Sequence, residues 1–102
     1  RVLFVQDDAA PRIKAMLAGA IETLDVGDPL DYATDIGPVI DEAAQDLLEG
    51  HKVRMERDGR EIIDLPLPES CRPGTYVTPA LYEIERLGAL DREVFGPVLH
   101  LV

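Results

Sequence analysis

The chain opens on RVLFV and closes on GPVLHLV, and these two apolar runs limit its folds more than any other feature. Val2–Val5 is too short for a helical stripe and suits a strand buried on both faces. In the closing run His100 alternates within what reads as a second buried strand. Strands of this kind belong to α/β architectures. Their position at both ends points to a piece of a longer protein, so residues 1–102 are read as a single partial domain with neighbours on either flank.

Between the two runs the punctuation is clear. Asp7 and Asp8 offer capping oxygens before Pro11, which suits the first turn of a helix. From Ile13 the apolar positions Met16, Leu17, Ala20, Ile21 and Leu24 recur at spacings of three and four. DVGDPLDYATDIGPVID, residues 25–41, has neither helical nor strand periodicity and reads as a long, strongly positioned loop. A second helix begins near Asp41, carries Ile40, Ala44, Leu47, Leu48, His51 and Met55 on one side, and stops at Asp58–Gly59, where glycine suits a left-handed cap. Glu61–Leu65 reads as a strand and ESCRPG as a turn. Thr75–Ile84 reads as an extended run that Pro79 demotes to an edge or a bulge. A linker through Leu87–Gly88 leads to the last strand. The order is β-α-loop-α-β-β-β.

Composition narrows the function. Ten Lys and Arg against twenty Asp and Glu give a net charge of −10, which repels phosphate backbones and anionic surfaces, so no nucleic-acid partner is expected. No apolar run approaches the roughly 20 residues of a membrane span, and no signal peptide is visible, so the chain is expected to be soluble and cytoplasmic. A single cysteine, Cys71, forms no internal disulfide and no cysteine-based zinc site.

Few side chains in the sequence invite chemistry. The aspartates at 25, 28, 31, 35 and 41 miss the alternating acidic spacing, the sixth-position glycine and the twelfth-position glutamate of an EF-hand, so they are read as turn and cap residues and no metal site is assigned. Cys71 has only Arg72 beside it to favour a thiolate. His51 lies on the apolar seam of the second helix and His100 in a strand, and both are read as packed, hydrogen-bonded histidines. No Ser-His-Asp set, phosphate loop or Gly-x-Gly-x-x-Gly occurs, and no catalytic residue is assigned. EVFGP, residues 93–97, remains. Glu93 can accept hydrogen bonds from the vicinal hydroxyls of a ribose, Phe95 can wall an aromatic ring, and Gly96 permits close approach of backbone and ligand. The same five residues can equally be a turn into a buried strand.

EVFGPV resembles a motif of the aldehyde dehydrogenase superfamily. RVLFVQDD, VGDPLDYATDIGPVID, GTYVTPALYEI and REVFGPVLHLV follow one another in that family's order across essentially the whole chain. Their wording is most similar to the L-glutamate γ-semialdehyde (pyrroline-5-carboxylate) dehydrogenase module of proline utilization A proteins. The resemblance implies a fragment of the aldehyde dehydrogenase catalytic domain. It implies NAD as cofactor, a small-molecule aldehyde as substrate, and the rest of a parent polypeptide, compatible with a homo-oligomer, as partner. In the family a cysteine nucleophile lies in a Cys-Ser-Ala-Leu segment just before the Arg-Val-Leu-Phe strand, which places it immediately upstream of Arg1. The general-base glutamate and the nucleotide-binding region also lie upstream, and the loop anchoring the aldehyde's carboxylate lies downstream. Cys71 does not match the nucleophile.

Glu93 matches the glutamate that bonds the nicotinamide ribose, and Phe95 the aromatic beside the nicotinamide. Gly37-Pro38, Pro79 and Gly96-Pro97 match structural positions. The implied reaction oxidises an aldehyde to an acid: thiolate attacks the carbonyl, hydride leaves to NAD, and water hydrolyses the thioester. The isolated segment is then expected to be inactive and poorly stable. The competing reading is a non-catalytic acidic α/β interaction module that uses EVFGP only to enter a strand. A Cys-Ser-Ala-Leu segment directly upstream of Arg1 separates the two.

Overall fold

Four strands form one mixed sheet in the computed structural model, which describes all of residues 1–102. The elements are β1 (Val2–Leu3), α1 (Ala10–Glu22), α2 (Glu42–Asp58), β2 (Arg60–Asp64), β3 (Ala80–Glu83) and β4 (Val98–Leu101), with single 3-10 turns at Glu69–Cys71 and Leu87–Ala89. The order along the chain is the expected one. In space the sheet runs β1-β4-β3-β2: β4 lies parallel to both β1 and β3, and β2 pairs antiparallel with β3.

Strand alternation assigns the two faces. Ala80, Tyr82, Val98 and His100 point to one side, where Leu48 and Met55 of α2 close an apolar core completed by Val77, Ile84 and Val94. Glu83 points to the other side, and its carboxylate takes a 2.7 Å bond from Lys14, which holds α1 there. The α2 side is the well-packed one. No residue of α1 is fully buried, and Met16 in its apolar stripe is largely exposed.

Local chemistry explains most boundaries. Asp41 caps α2, its carboxylate accepting from the Ala44 N–H at 2.8 Å. The long loop is built from the same residue type: Asp28 accepts from the Leu30 N–H, Asp31 from the Ala33 N–H, and Asp35 from the Asp25 N–H. These are the turn and cap duties expected of the aspartates. The loop is pinned to the 71–76 segment by reciprocal bonds between Val39 and Thr75, each 2.8 Å, and by the Tyr76 hydroxyl donating to the Gly27 carbonyl.

Several details differ from the sequence expectations. Neither Asp7 nor Asp8 caps α1; its first turn is entered through main-chain bonds from Ala9 and Ala10 to the Gln6 carbonyl. Gly59 is extended, not left-handed, and its lack of a side chain serves close approach, since a Cβ there would stand 2.9 Å from the Glu83 carbonyl oxygen. β3 is an interior strand and not an edge, and the irregularity in its ladder lies on the partner strand, a register shift in β2 between Glu61 and Ile63. Pro79 stands one residue before its ladder, where a missing N–H costs nothing, and its carbonyl still accepts from the Leu65 N–H. β1 borders the sheet, leaving Leu3 and Phe4 partly exposed where burial on both faces was expected.

Candidate functional site

The segment between the Leu87–Ala89 turn and β4 alternates its side chains in and out. Val94 is buried in the core, so its neighbours Glu93 and Phe95 project outward together. Glu93 is 70% exposed and Phe95 76%, beside a recess of about 390 Å³ lined by Arg1, Val2, Leu90, Glu93, Val94 and His100 among others. Both residues lie at the N-terminal mouth of the parallel strands β1 and β4. The Arg1 guanidinium ties them together, since it is ion-paired to Glu93 Oε1 and its Cζ stands 5.0 Å from the centre of the Phe95 ring. A carboxylate acceptor, an aromatic face and a cation thus meet at one open rim.

Gly96 permits a close approach, as the sequence suggested, but the body that approaches is α2. A Cβ at Gly96 would lie 2.6 Å from Leu48 Cδ2, so the glycine is what lets helix and strand entry touch. Pro97 then leads into β4, and its carbonyl accepts from the Ala80 N–H. The rim carrying Glu93 is therefore set directly on the core.

Behind the rim lies a buried polar arrangement. His51 and His100 are both packed and hydrogen-bonded, as expected, but they bond each other, Nε2 to Nε2 at 2.7 Å, with the rings edge to face. His100 Nδ1 is 2.9 Å from the Arg1 carbonyl oxygen, and His51 Nδ1 is 3.3 Å from Arg54 Nη2. Arg54 also grips both oxygens of Asp91 at 3.2 Å, and this hydrogen bonding holds the Asp91 carboxyl below its ordinary range. Burial, then the charges of His100 and Arg54, pushes His51 down from 6.5 to about 4, with Asp91 opposing; burial also lowers His100.

A second network was not foreseen. Lys52 is almost fully buried, bonded to Asp64 Oδ1 at 2.7 Å and to the Thr78 hydroxyl at 2.8 Å, and that hydroxyl donates to Asp64 as well. It joins α2 to β2 and to the approach of β3. Lys52 stands four residues after Leu48 and three before Met55, a spacing that puts it on the buried side of α2 and is the one local signal of a lysine that needs a carboxylate partner. Cys71 is buried, with its thiol facing the Val26 carbonyl at 3.6 Å, a packing role and not that of a nucleophile.

The aldehyde dehydrogenase family model matches residues 1–102. The bifunctional protein PutA of Salmonella typhimurium is 42% identical over 107 residues, covering 100% of this chain and 8% of that protein; PutA of Escherichia coli K12 is 40% identical over the same shares. A crystal structure of a Bradyrhizobium japonicum Proline Utilization A mutant superimposes with a TM-score of 0.92 at 46% identity, covering 99% of this chain and 10% of that one. Betaine aldehyde dehydrogenase from Staphylococcus aureus, in complex with NAD+, has the same fold here, with a TM-score of 0.89 at 19% identity over 99% of this chain and 21% of that one. The chain thus spans less than a tenth of the length of the curated PutA relatives.

Proposed function

The chain belongs to the aldehyde dehydrogenase family, and we propose that it is a segment of an NAD-dependent enzyme that oxidises L-glutamate γ-semialdehyde to L-glutamate in proline catabolism. The observation that carries the reading is full-chain identity of 42% to a PutA protein, together with the placement of Glu93 and Phe95 on one open rim. The cysteine nucleophile and the general base belong to parts of the parent outside residues 1–102. The setting of such an enzyme is the cytoplasm; no helix of this chain is long and apolar enough to cross a membrane.

The donor set fits the nicotinamide end of the cofactor. A ribose presents two adjacent hydroxyls that need acceptors, and Glu93 offers a solvent-facing carboxylate of which Arg1 engages only Oε1. A charged acceptor forms stronger hydrogen bonds to hydroxyls than a neutral one does. Phe95 adds an exposed ring of the kind that packs against a flat heterocycle. When bound, NAD supplies the acceptor for hydride.

This chain's own contribution is position. Val94, buried between the two site residues, fixes the direction in which both point, and Leu48 against Gly96 fixes the height of the rim above α2. Arg1, held to Glu93 and over Phe95, orients the carboxylate and keeps one of its oxygens satisfied before the hydroxyls arrive. Hydride transfer tolerates little misplacement, so a ribose holder acts through alignment.

The test is Glu93→Gln in the full-length enzyme. It removes the charge and turns one acceptor into a donor, so kcat/KM for NAD is expected to fall by about 10- to 100-fold, with the thermal transition unchanged. Steady-state kinetics identical to the parent across NAD concentrations would rule out the ribose assignment.

A further inference from the structure

We propose that Arg54, His51 and His100 are positioning residues for Glu93: one hydrogen-bonded chain across α2 that ties down both neighbours of the glutamate, Asp91 in sequence and Arg1 in space. The proposal rests on the reading of Glu93 as the ribose acceptor.

The chain has two ends, and both finish beside Glu93. At one end Arg54 holds Asp91, two residues before Glu93, through both guanidinium NH2 groups. At the other end His100 Nδ1 meets the main-chain carbonyl of Arg1, whose guanidinium contacts Glu93 and Phe95. His51 and His100, 6% and 1% exposed, bridge the two through their Nε2 atoms. The Glu93 rim is therefore clamped from its own segment and from the entry to β1, and α2 anchors both clamps.

The chain admits one arrangement of protons. The Arg1 carbonyl can only accept, so His100 Nδ1 carries a hydrogen and donates. Arg54 can only donate, so His51 Nδ1 is bare and accepts. The 2.7 Å contact then requires His51 Nε2–H to donate to a bare His100 Nε2. Both rings are neutral, every ring nitrogen is used, and no rotated or alternative tautomer satisfies all the bonds. Arg54 Nε is left without a partner, but the two buried imidazoles have a single bonded arrangement, which makes them stiff, and an ionic end at Arg54 and Asp91 polarises them. Hydrogen bonds are directional, so such a chain supplies orientation that apolar packing alone does not.

A purely structural role and a positioning role separate in a double-mutant cycle on the full-length enzyme. His51→Leu keeps the volume but breaks the chain. It is expected to raise KM for NAD about tenfold while KM for the aldehyde changes by less than about twofold. His51→Gln is expected to stay within about twofold of the parent, because its amide oxygen can accept from Arg54 and its NH2 can donate to His100. In the Glu93→Gln background, His51→Leu is expected to add less than about twofold, since the group it positions is already gone.

Additive losses in that background, or a lowered melting temperature with an unchanged KM for NAD, overturn the positioning role while leaving the ribose assignment standing. A neutral Glu93→Gln overturns both. Should His51→Leu fail to fold, Asp91→Asn at the exposed end serves the same cycle, with an expected rise of about threefold in KM for NAD that disappears in the Glu93→Gln background; a rise that persists there overturns the proposal.

Discussion

His51 shows how one residue can be correctly classed and still hide its partner. Its spacing on α2 makes it a core residue, and a core imidazole must be hydrogen-bonded, yet nothing local says that the bond crosses 49 residues to His100. The pairing has a consequence for pH. In the fold His51 stays neutral down to about 4, whereas the unfolded chain protonates it near 6.5. Between those values the unfolded state binds more protons, so stability is full above 6.5 and falls as the pH drops towards 4, by up to about 3 kcal/mol for this group. His100 shifts in the same direction, and the charged groups around the pair are Arg54 and Asp91. The melting temperature of the full-length enzyme is expected to decline across that window, and His51→Gln is expected to flatten the decline; equal slopes for the two proteins would contradict it. Lys52 was missed for a related reason, because a lysine on a helix is ordinarily solvated and only the approach of Asp64 and Thr78 makes burial tolerable.

Between elements, what was legible depended on whether the cause was local. The caps and turns made by Asp28, Asp31 and Asp41 follow from side-chain oxygens bonding main-chain groups two or three residues away, and they formed where expected. Pro79 was misjudged because its effect depends on which residue begins the ladder, and that is settled by pairing: Ala80 meets Val98, leaving Pro79 just outside. Gly96 shows the same dependence. Its motif suggested room for a ligand, while the space is taken by Leu48 of α2. Gly96→Ala is therefore expected to destabilise the enzyme by about 1–3 kcal/mol, because the new methyl overlaps a packed leucine. Pairing it with Leu48→Ala, which vacates that space, is expected to recover part of the loss relative to the two changes summed, measured by denaturant unfolding; simple additivity would show that the contact is not the cause.

Across the whole chain, burial is uneven. Only 16 of 102 residues are buried, nearly all around α2, β3 and β4, while Phe4, Met16, Tyr32 and Ile40 remain exposed. The sheet also presents two unpaired borders, the outer sides of β1 and β2. Expressed by itself, the chain is expected to self-associate and to unfold without a sharp transition, checked by size-exclusion chromatography and thermal melting; a monomer with a cooperative melt would contradict this. The family relationship and the α/β order were legible because several motifs share one sequence order and because turn chemistry and apolar period are local. The sequence by itself determined the order of the elements, the Asp41 cap and the aspartate-built loop. Only the tertiary structure decided that β4 lies between β1 and β3, and with it that His51 meets His100 and that Arg1 reaches Glu93. The physical reason is that periodicity reports which face a side chain shows, whereas its partner across that face is chosen by strand order, which no local pattern encodes.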